Sequence, residues 1–192
     1  MPYTFRFSGP ANLAYSCPLQ CTQCSATSQS TGQRCRMRTC IGTPLCWQHL
    51  LSQKKVRIMP SAVAGKGLFA KSKTHAANAV LFSPGDVIVE YGGERITRAQ
   101  LEARYGDYTA PYGLSDDRQR NIEDGACKRG PGTLANHAPN ANAKYSMSRP
   151  KGRTPFFRLV ATAEIRNGQE IFCSYGDNYL FDEPTQHTTS TR

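Results

Sequence analysis

Thirty residues near the N-terminus, "CTQCSATSQSTGQRCRMRTCIGTPLCWQHL" (21–50), hold five of the chain's eight cysteines and a histidine. Cys21 with Cys24 forms CxxC, and Cys46 with His49 forms CxxH. Two ligands two residues apart fit one tight knuckle, and two knuckles close a tetrahedron around zinc. Ser, Thr, Gly and Gln fill the gaps, leaving almost no apolar core. A segment of ~35 residues built this way needs a metal or a crosslink. The expected ligand set is Cys24, Cys35, Cys46 and His49, with Cys21 and Cys40 as substitutes or as part of a second site. Free thiols are the plainer alternative. A second stretch, "GPGTLANHAPNANAKY" (130–145), sets Asn136–His137 behind small residues and ends on Tyr145. Alone it reads as a polar loop after a Gly-Pro-Gly turn. Tyr91 in "EYGG" and Tyr175 in "CSYGDNY" are, by default, core tyrosines.

Charge is distributed unevenly around these groups. The first acidic residue is Asp86; ten Lys or Arg precede it, and the fourteen basic and fourteen acidic residues after it cancel. The formal +10 therefore belongs to the N-terminal portion. Such a portion attracts polyanions, nucleic acid included, or serves simply as a solvated face. At 192 residues the chain fits one domain of ~100–150 residues plus a small appendage. No segment approaches the ~18 apolar residues of a membrane span. "MPYTFRFSGPANLAYS" (1–16) lacks the apolar stretch of a secretory signal. The expectation is a soluble intracellular protein without membrane contact, its cysteines thiols or metal ligands rather than disulfides.

The elements that would position these residues are mostly short strands. "LLSQKKVRIMPS" reads as a linker running into the strand "VRIM", cut off at Pro60. "AVLF" ends at the turn "SPGD", and "VIVEYGG" alternates with β-branched residues. "FFRLVATAEI" and "EIFCSYG" are further strands about the turn "RNGQ". "RAQLEARYG" is the one plausible helix, stopped by Gly106. The division expected is an N-terminal arm (1–16), a Cys/His module (17–50), a mostly β domain (55–182) and a frayed polar tail (183–192).

Three stretches, "VAGKGLFAKS" (63–72), "SPGDVIVEYGGERIT" (83–97) and "LANHAPNANAKY…IRNGQEIFCSYGDNY" (134–179), resemble in order and spacing the SET-domain protein lysine methyltransferases. The compact size and the ending "SYGDNY", with no cysteine triplet after it, are most similar to the small viral members. The N-terminal module is similar to small Cys/His modules in proteins of large DNA viruses. The resemblance implies small curled β-sheets with a knot-like C-terminal threading, S-adenosylmethionine as methyl donor and a lysine acceptor. Methyl transfer from a sulfonium to an amine is an in-line displacement that needs alignment, a neutral nitrogen and stabilisation of a partly positive methyl. A narrow tunnel of phenols and backbone carbonyls answers those needs and strips water from the lysine.

Carried over residue by residue, Gly65, Lys66, Gly67 and Leu68 match the motif curling round the donor's amino-acid end; an ordinary hairpin turn is the alternative. Asn136 and His137 match the pair that holds the donor. Tyr175 matches the catalytic tyrosine, Tyr91 and Tyr145 fall along the lysine channel, and Tyr179 walls the channel or the donor site. The sequence departs from the family at Ala138, where Ser is usual, and at Pro139–Asn140, which arrive two residues early. Read without a gap, Asn142 takes the family Asn position. Cys173 stands alone, so the zinc site that follows the domain in many relatives is absent. Tyr179, Leu180, Phe181, the tail or another subunit must then cover the donor. The implied partner is a histone tail or another lysine-bearing protein, with nucleosome or DNA contact through the basic module. A homodimer and a nuclear location (the host nucleus if the chain is viral) go with this reading. The alternatives are an inactive SET-fold adaptor and a zinc-dependent nucleic-acid binder.

Overall fold

The computed structural model describes residues 4–9, 13–28, 30–39, 44–176 and 179. Cys40, Leu180, Phe181 and the tail 183–192 lie outside the described residues. The fold is mostly β, as expected. Its central sheet runs Asn136–His137, Phe172–Cys173, Ala143–Ser148, Phe156–Ala161 and Val87–Glu90 in spatial order. Phe172–Cys173 lies parallel to Asn136–His137 on one side and meets Ala143 on the other. The last strand thus slots between two segments that follow one another in sequence, which is the knot-like threading expected. Asn142 pins the thread. Its Nδ2 donates to the Glu170 carbonyl and its Oδ1 accepts from the Phe172 N–H, both at 2.9 Å.

Smaller curled sheets surround this one. Val56–Pro60 pairs with Lys66–Ala70, Val80–Phe82 with Ile165–Arg166, and Ile122–Asp124 lies between Gly113–Ser115 and Glu94–Ile96. Val56, Leu68 and Ile165 from these sheets join Ile88 and Leu159 of the central sheet, and Ile171, in one core. The expected helix is present as Arg98–Tyr105, here α2. Thr97 and Gln100 form a capping box at its start, and Gly106 ends it with φ +60°.

A second helix, Trp47–Lys54 (α1, preceding α2), occupies what reads as linker. Its start has neither a side-chain cap nor an acidic residue in the first turn, so the usual signals are missing. Eight residues are too few to hold a helix alone. Packing supplies the rest, since Leu50 and Leu51 are buried and Leu50 joins the main core. The N-terminal segment contributes to this core as well. Cys24, Ala26, Leu45 and Cys46 belong to the same apolar cluster as Leu68 and Leu159.

Residues 4–18 form the hairpin Thr4–Ser8 with Ala14–Pro18. Phe5 and Phe7 alternate inward and build a second cluster with Leu19, Tyr105, Ala126 and Cys127. There Cys17 and Cys127, 110 residues apart in sequence, form a disulfide with Cα atoms 5.8 Å apart. The expectation of thiols or metal ligands alone is corrected here. Local spacing cannot reveal a pair that only the docking of the hairpin brings together. Cys21 is disulfide-bonded as well, which removes it from the metal-ligand candidates.

Candidate active site

Tyr91, Tyr112, Tyr145, Tyr175 and Tyr179 converge, with Pro111, Leu114 and Thr133, on a narrow cavity of about 50 Å³. Tyr91 follows the strand Val87–Glu90, Tyr145 lies on Ala143–Ser148, and Tyr175 comes two residues after Phe172–Cys173. The threaded sheet therefore fixes all three. Tyr91 and Tyr145 meet edge to face with ring centroids 5.5 Å apart, and Tyr175 and Tyr179 lie 4.8 Å apart. Each of three hydroxyls donates to a carbonyl: Tyr175 to Ala135 at 3.0 Å, Tyr145 to Gly132 at 2.9 Å, and Tyr91 to Tyr112. The 3-10 turn Pro131–Leu134 brings the first two carbonyls in, and it packs tightly. A Cβ on Gly132 would lie 2.8 Å from the Glu90 carbonyl oxygen. Burial raises the pKa of Tyr175, Tyr91 and Tyr145 well above the phenol range, and the Asp124 charge adds to the effect at Tyr91. The channel thus keeps its protons at neutral pH. Behind it, burial holds the Cys173 thiol up to about 12.

The Gly65–Leu68 stretch opens at the turn of the hairpin Val56–Pro60/Lys66–Ala70, where Gly65 has φ +45°. Asn136 reaches this loop. Its Nδ2 faces the Ala64 carbonyl at 3.3 Å, the Lys66 carbonyl at 3.4 Å and Glu170 Oε1 at 2.9 Å. A Cβ on Gly67 would sit 2.0 Å from Glu170 Oε1 and 3.1 Å from Asn136 Nδ2, so only glycine lets the loop close on the pair. His137 Nδ1 accepts from the Tyr175 N–H at 3.2 Å, and the two rings lie 5.5 Å apart. The threading thus ties the Asn136–His137 pair directly to the tyrosine channel.

A third cluster gathers Cys24, Cys35, Cys46 and His49, their ligand atoms all within 4.8 Å of one another. Zinc bonds of about 2.3 Å to sulfur and about 2.0 Å to nitrogen give tetrahedral edges of about 3.8 Å and 3.5 Å. The observed Cys35–Cys46 and Cys24–His49 separations are 4.0 and 3.5 Å. Cys46–His49 is tighter at 3.1 Å, because Cys46 is the N-cap residue of α1 and His49 lies in its first turn. The donor set and its spacing fit zinc. Cys21 takes no part among the described residues.

The family profile described as SET domain matches residues 65–176, which is 112 of the 192 residues. The chain belongs to the SET-domain family. Members of this family are generally protein lysine methyltransferases that use S-adenosylmethionine. A crystal structure of a Plasmodium falciparum protein, described as a candidate histone methyltransferase, aligns at TM-score 0.47 and 19% identity, over 66% of this chain and 97% of that one. No curated protein matches the chain at a significant level.

Within the SET domain, the structure brings Tyr91, Tyr145, Tyr175 and Tyr179 to one cavity and Asn136 to the Gly65–Leu68 loop. Two residues escape a reading of the sequence alone. Tyr112 walls the channel and offers its carbonyl to Tyr91, and the Arg129 guanidinium stacks on its ring at 4.3 Å. It lies in "TAPYGLS", a loop with no periodicity to mark it. Glu170 lies inside the matched "NGQEIFCSYG", and its contact with Asn136 spans 34 residues. Only the threaded fold makes that pair adjacent.

Proposed function

We propose that this chain is an S-adenosylmethionine-dependent protein-lysine N-methyltransferase acting on histone tail lysines. The observation that carries the reading is the tyrosine cavity, too narrow for a bulky group, beside the Asn136 loop and sharing the Ala135–His137 segment with it. An extended lysine side chain fits such a channel, and the aromatic walls exclude water from its nitrogen. Desolvation lowers the ammonium pKa and yields the neutral nucleophile. When bound, S-adenosylmethionine supplies a sulfonium methyl whose carbon–sulfur bond breaks, the pair staying on sulfur, as the carbon–nitrogen bond forms. Tyr175 Oη, Ala135 O and Gly132 O present negative dipole ends that suit a methyl carrying partial positive charge. Gly65–Leu68, Asn136, His137 and Tyr179 would hold the donor.

Zinc on Cys24, Cys35, Cys46 and His49 would be structural, since all four candidate ligands are protein groups and no position is left open. To nucleosomal DNA, in a nuclear setting, we assign the exposed basic residues Arg34, Arg36, Arg38, Lys54, Lys55 and Arg57. We keep kinship with the small viral members, and a homodimer that covers the donor site, as parts of the same reading. No helix among the described residues is long and apolar enough to cross a membrane. The test is incubation of the zinc-loaded protein with S-adenosylmethionine and core histones, read by mass spectrometry. Methylated lysines on histone tails are expected. Labelling confined to non-histone proteins of a lysate would replace the substrate, and labelling of nothing would favour the adaptor.

A further inference from the structure

Glu170 stands where four segments meet. Its Oε1 accepts from Asn136 Nδ2 at 2.9 Å, and its Oε2 accepts from the Ser61 hydroxyl at 3.0 Å. Its backbone carbonyl accepts from Asn142 Nδ2 at 2.9 Å, and its residue bridges Phe69 on the strand Lys66–Ala70. The side chain thus spans the loop before Gly65 and the Asn136 amide. The Ala64 and Lys66 carbonyls face the same end of that amide, at 3.3 and 3.4 Å. All three neighbours are acceptors, so the amide can lie only one way round, with its NH₂ towards Glu170 and its Oδ1 turned away. The contact to the carboxylate is the shortest of the three and the only charge-assisted one.

We propose that Glu170 is a positioning residue of the donor pocket. It locks Asn136 with Oδ1 presented as an acceptor for an ammonium N–H of the donor's amino-acid end, and through Ser61 it holds the Gly65–Leu68 loop against the same amide. The inference rests on the donor-pocket reading above. Glu170→Ala leaves Asn136 only two long carbonyl contacts and takes away the acceptor of the Ser61 hydroxyl, which keeps only the Val63 N–H. Glutamine can keep an oxygen on Asn136 and turn its NH₂ to the Ser61 oxygen.

Titration calorimetry with S-adenosylhomocysteine, which needs no turnover, tests this on the full chain. Glu170→Ala should weaken binding about tenfold or more, as expected for one charge-assisted hydrogen bond. Glu170→Gln should recover most of that loss. Asn136→Ala/Glu170→Ala should bind no more weakly than Asn136→Ala alone, because Glu170 acts through Asn136. Should Glu170→Ala fail to fold, Ser61→Ala carries the test, with a smaller loss in the same direction. Unchanged affinity in Glu170→Ala, or losses at 136 and 170 that add, would overturn the assignment. Absence of binding by the unmodified chain would instead remove the donor pocket itself, and Glu170's role with it.

Discussion

Tyr175, Tyr91 and Tyr145 each donate to a backbone carbonyl, and burial keeps each phenol protonated. That sets a sign for pH. Their folded pKa values lie above the ordinary phenol value of about 10, so their contribution to stability is full below pH 10 and is lost as pH climbs through and beyond it. The melting temperature should therefore fall on going from pH 9 to pH 11. The rate of methyl transfer should show no descending limb from tyrosine ionisation below pH 10. A loss of rate near pH 8 that tracks phenolate absorbance would contradict the picture. Asn136 gives a second expectation. Its amide is buried and aimed at the donor loop, so Asn136→Ala should weaken S-adenosylhomocysteine binding by ~1–3 kcal/mol. Calorimetry finding equal affinity would take Asn136 out of the pocket.

At the scale of elements, α1 couples the candidate metal cluster to the core of the SET domain. Cys46 stands at the N-cap position without making a side-chain cap bond, His49 lies in the first turn, and Leu50 beside it enters the main core. Zinc held by this cluster would therefore contribute its binding energy to the folding of more than the module. Chelation should lower the melting temperature of the whole chain and open new protease cuts at Arg34, Arg36 and Arg38. Donor binding should weaken along with it. Chelation that frees residues 17–50 while the rest melts unchanged would show two independent units. Of the candidate metal ligands, Cys46 and His49 were legible because CxxH is a local pattern, whereas Cys21, the CxxC partner of Cys24, is disulfide-bonded instead. The helix that seats Cys46 and His49 was not legible, because it has no cap and only tertiary burial of Leu50 and Leu51 holds it. The same contrast applies to strands. "VIVEYGG" and "FFRLVATAEI" announce themselves by alternation and β-branching, and both appear in the central sheet.

For the whole molecule, the Cys17–Cys127 bond ties the N-terminal hairpin to the segment that leads into the Pro131–Leu134 turn and the channel carbonyls. Closing a loop of 110 residues is worth about 5 kcal/mol in the chain-entropy account. Cys17→Ser should lower stability by roughly 2–5 kcal/mol in denaturant titrations under non-reducing conditions. No change would mean that the aromatic cluster of Phe5, Phe7 and Tyr105 holds the hairpin unaided. This pairing, the Glu170–Asn136 contact and the place of Tyr112 were all hidden from the sequence for one reason. Each joins residues that become neighbours only once the chain has threaded or docked. The Gly65–Leu68 loop, the Asn136–His137 pair and Tyr175 were legible because family order and spacing mark them without reference to three-dimensional contacts.

The central claim is methyl transfer in the tyrosine channel, and Tyr175→Phe tests it most directly. The substitution keeps the ring and removes the hydroxyl that meets the Ala135 carbonyl. Transfer to core histones should be measured by mass spectrometry at saturating S-adenosylmethionine, alongside S-adenosylhomocysteine affinity by calorimetry. The account predicts a rate lowered by one to several orders of magnitude, each tenfold being ~1.4 kcal/mol of lost transition-state stabilisation, with affinity unchanged. A Tyr175→Phe protein that methylates histones at the unmodified rate would contradict it.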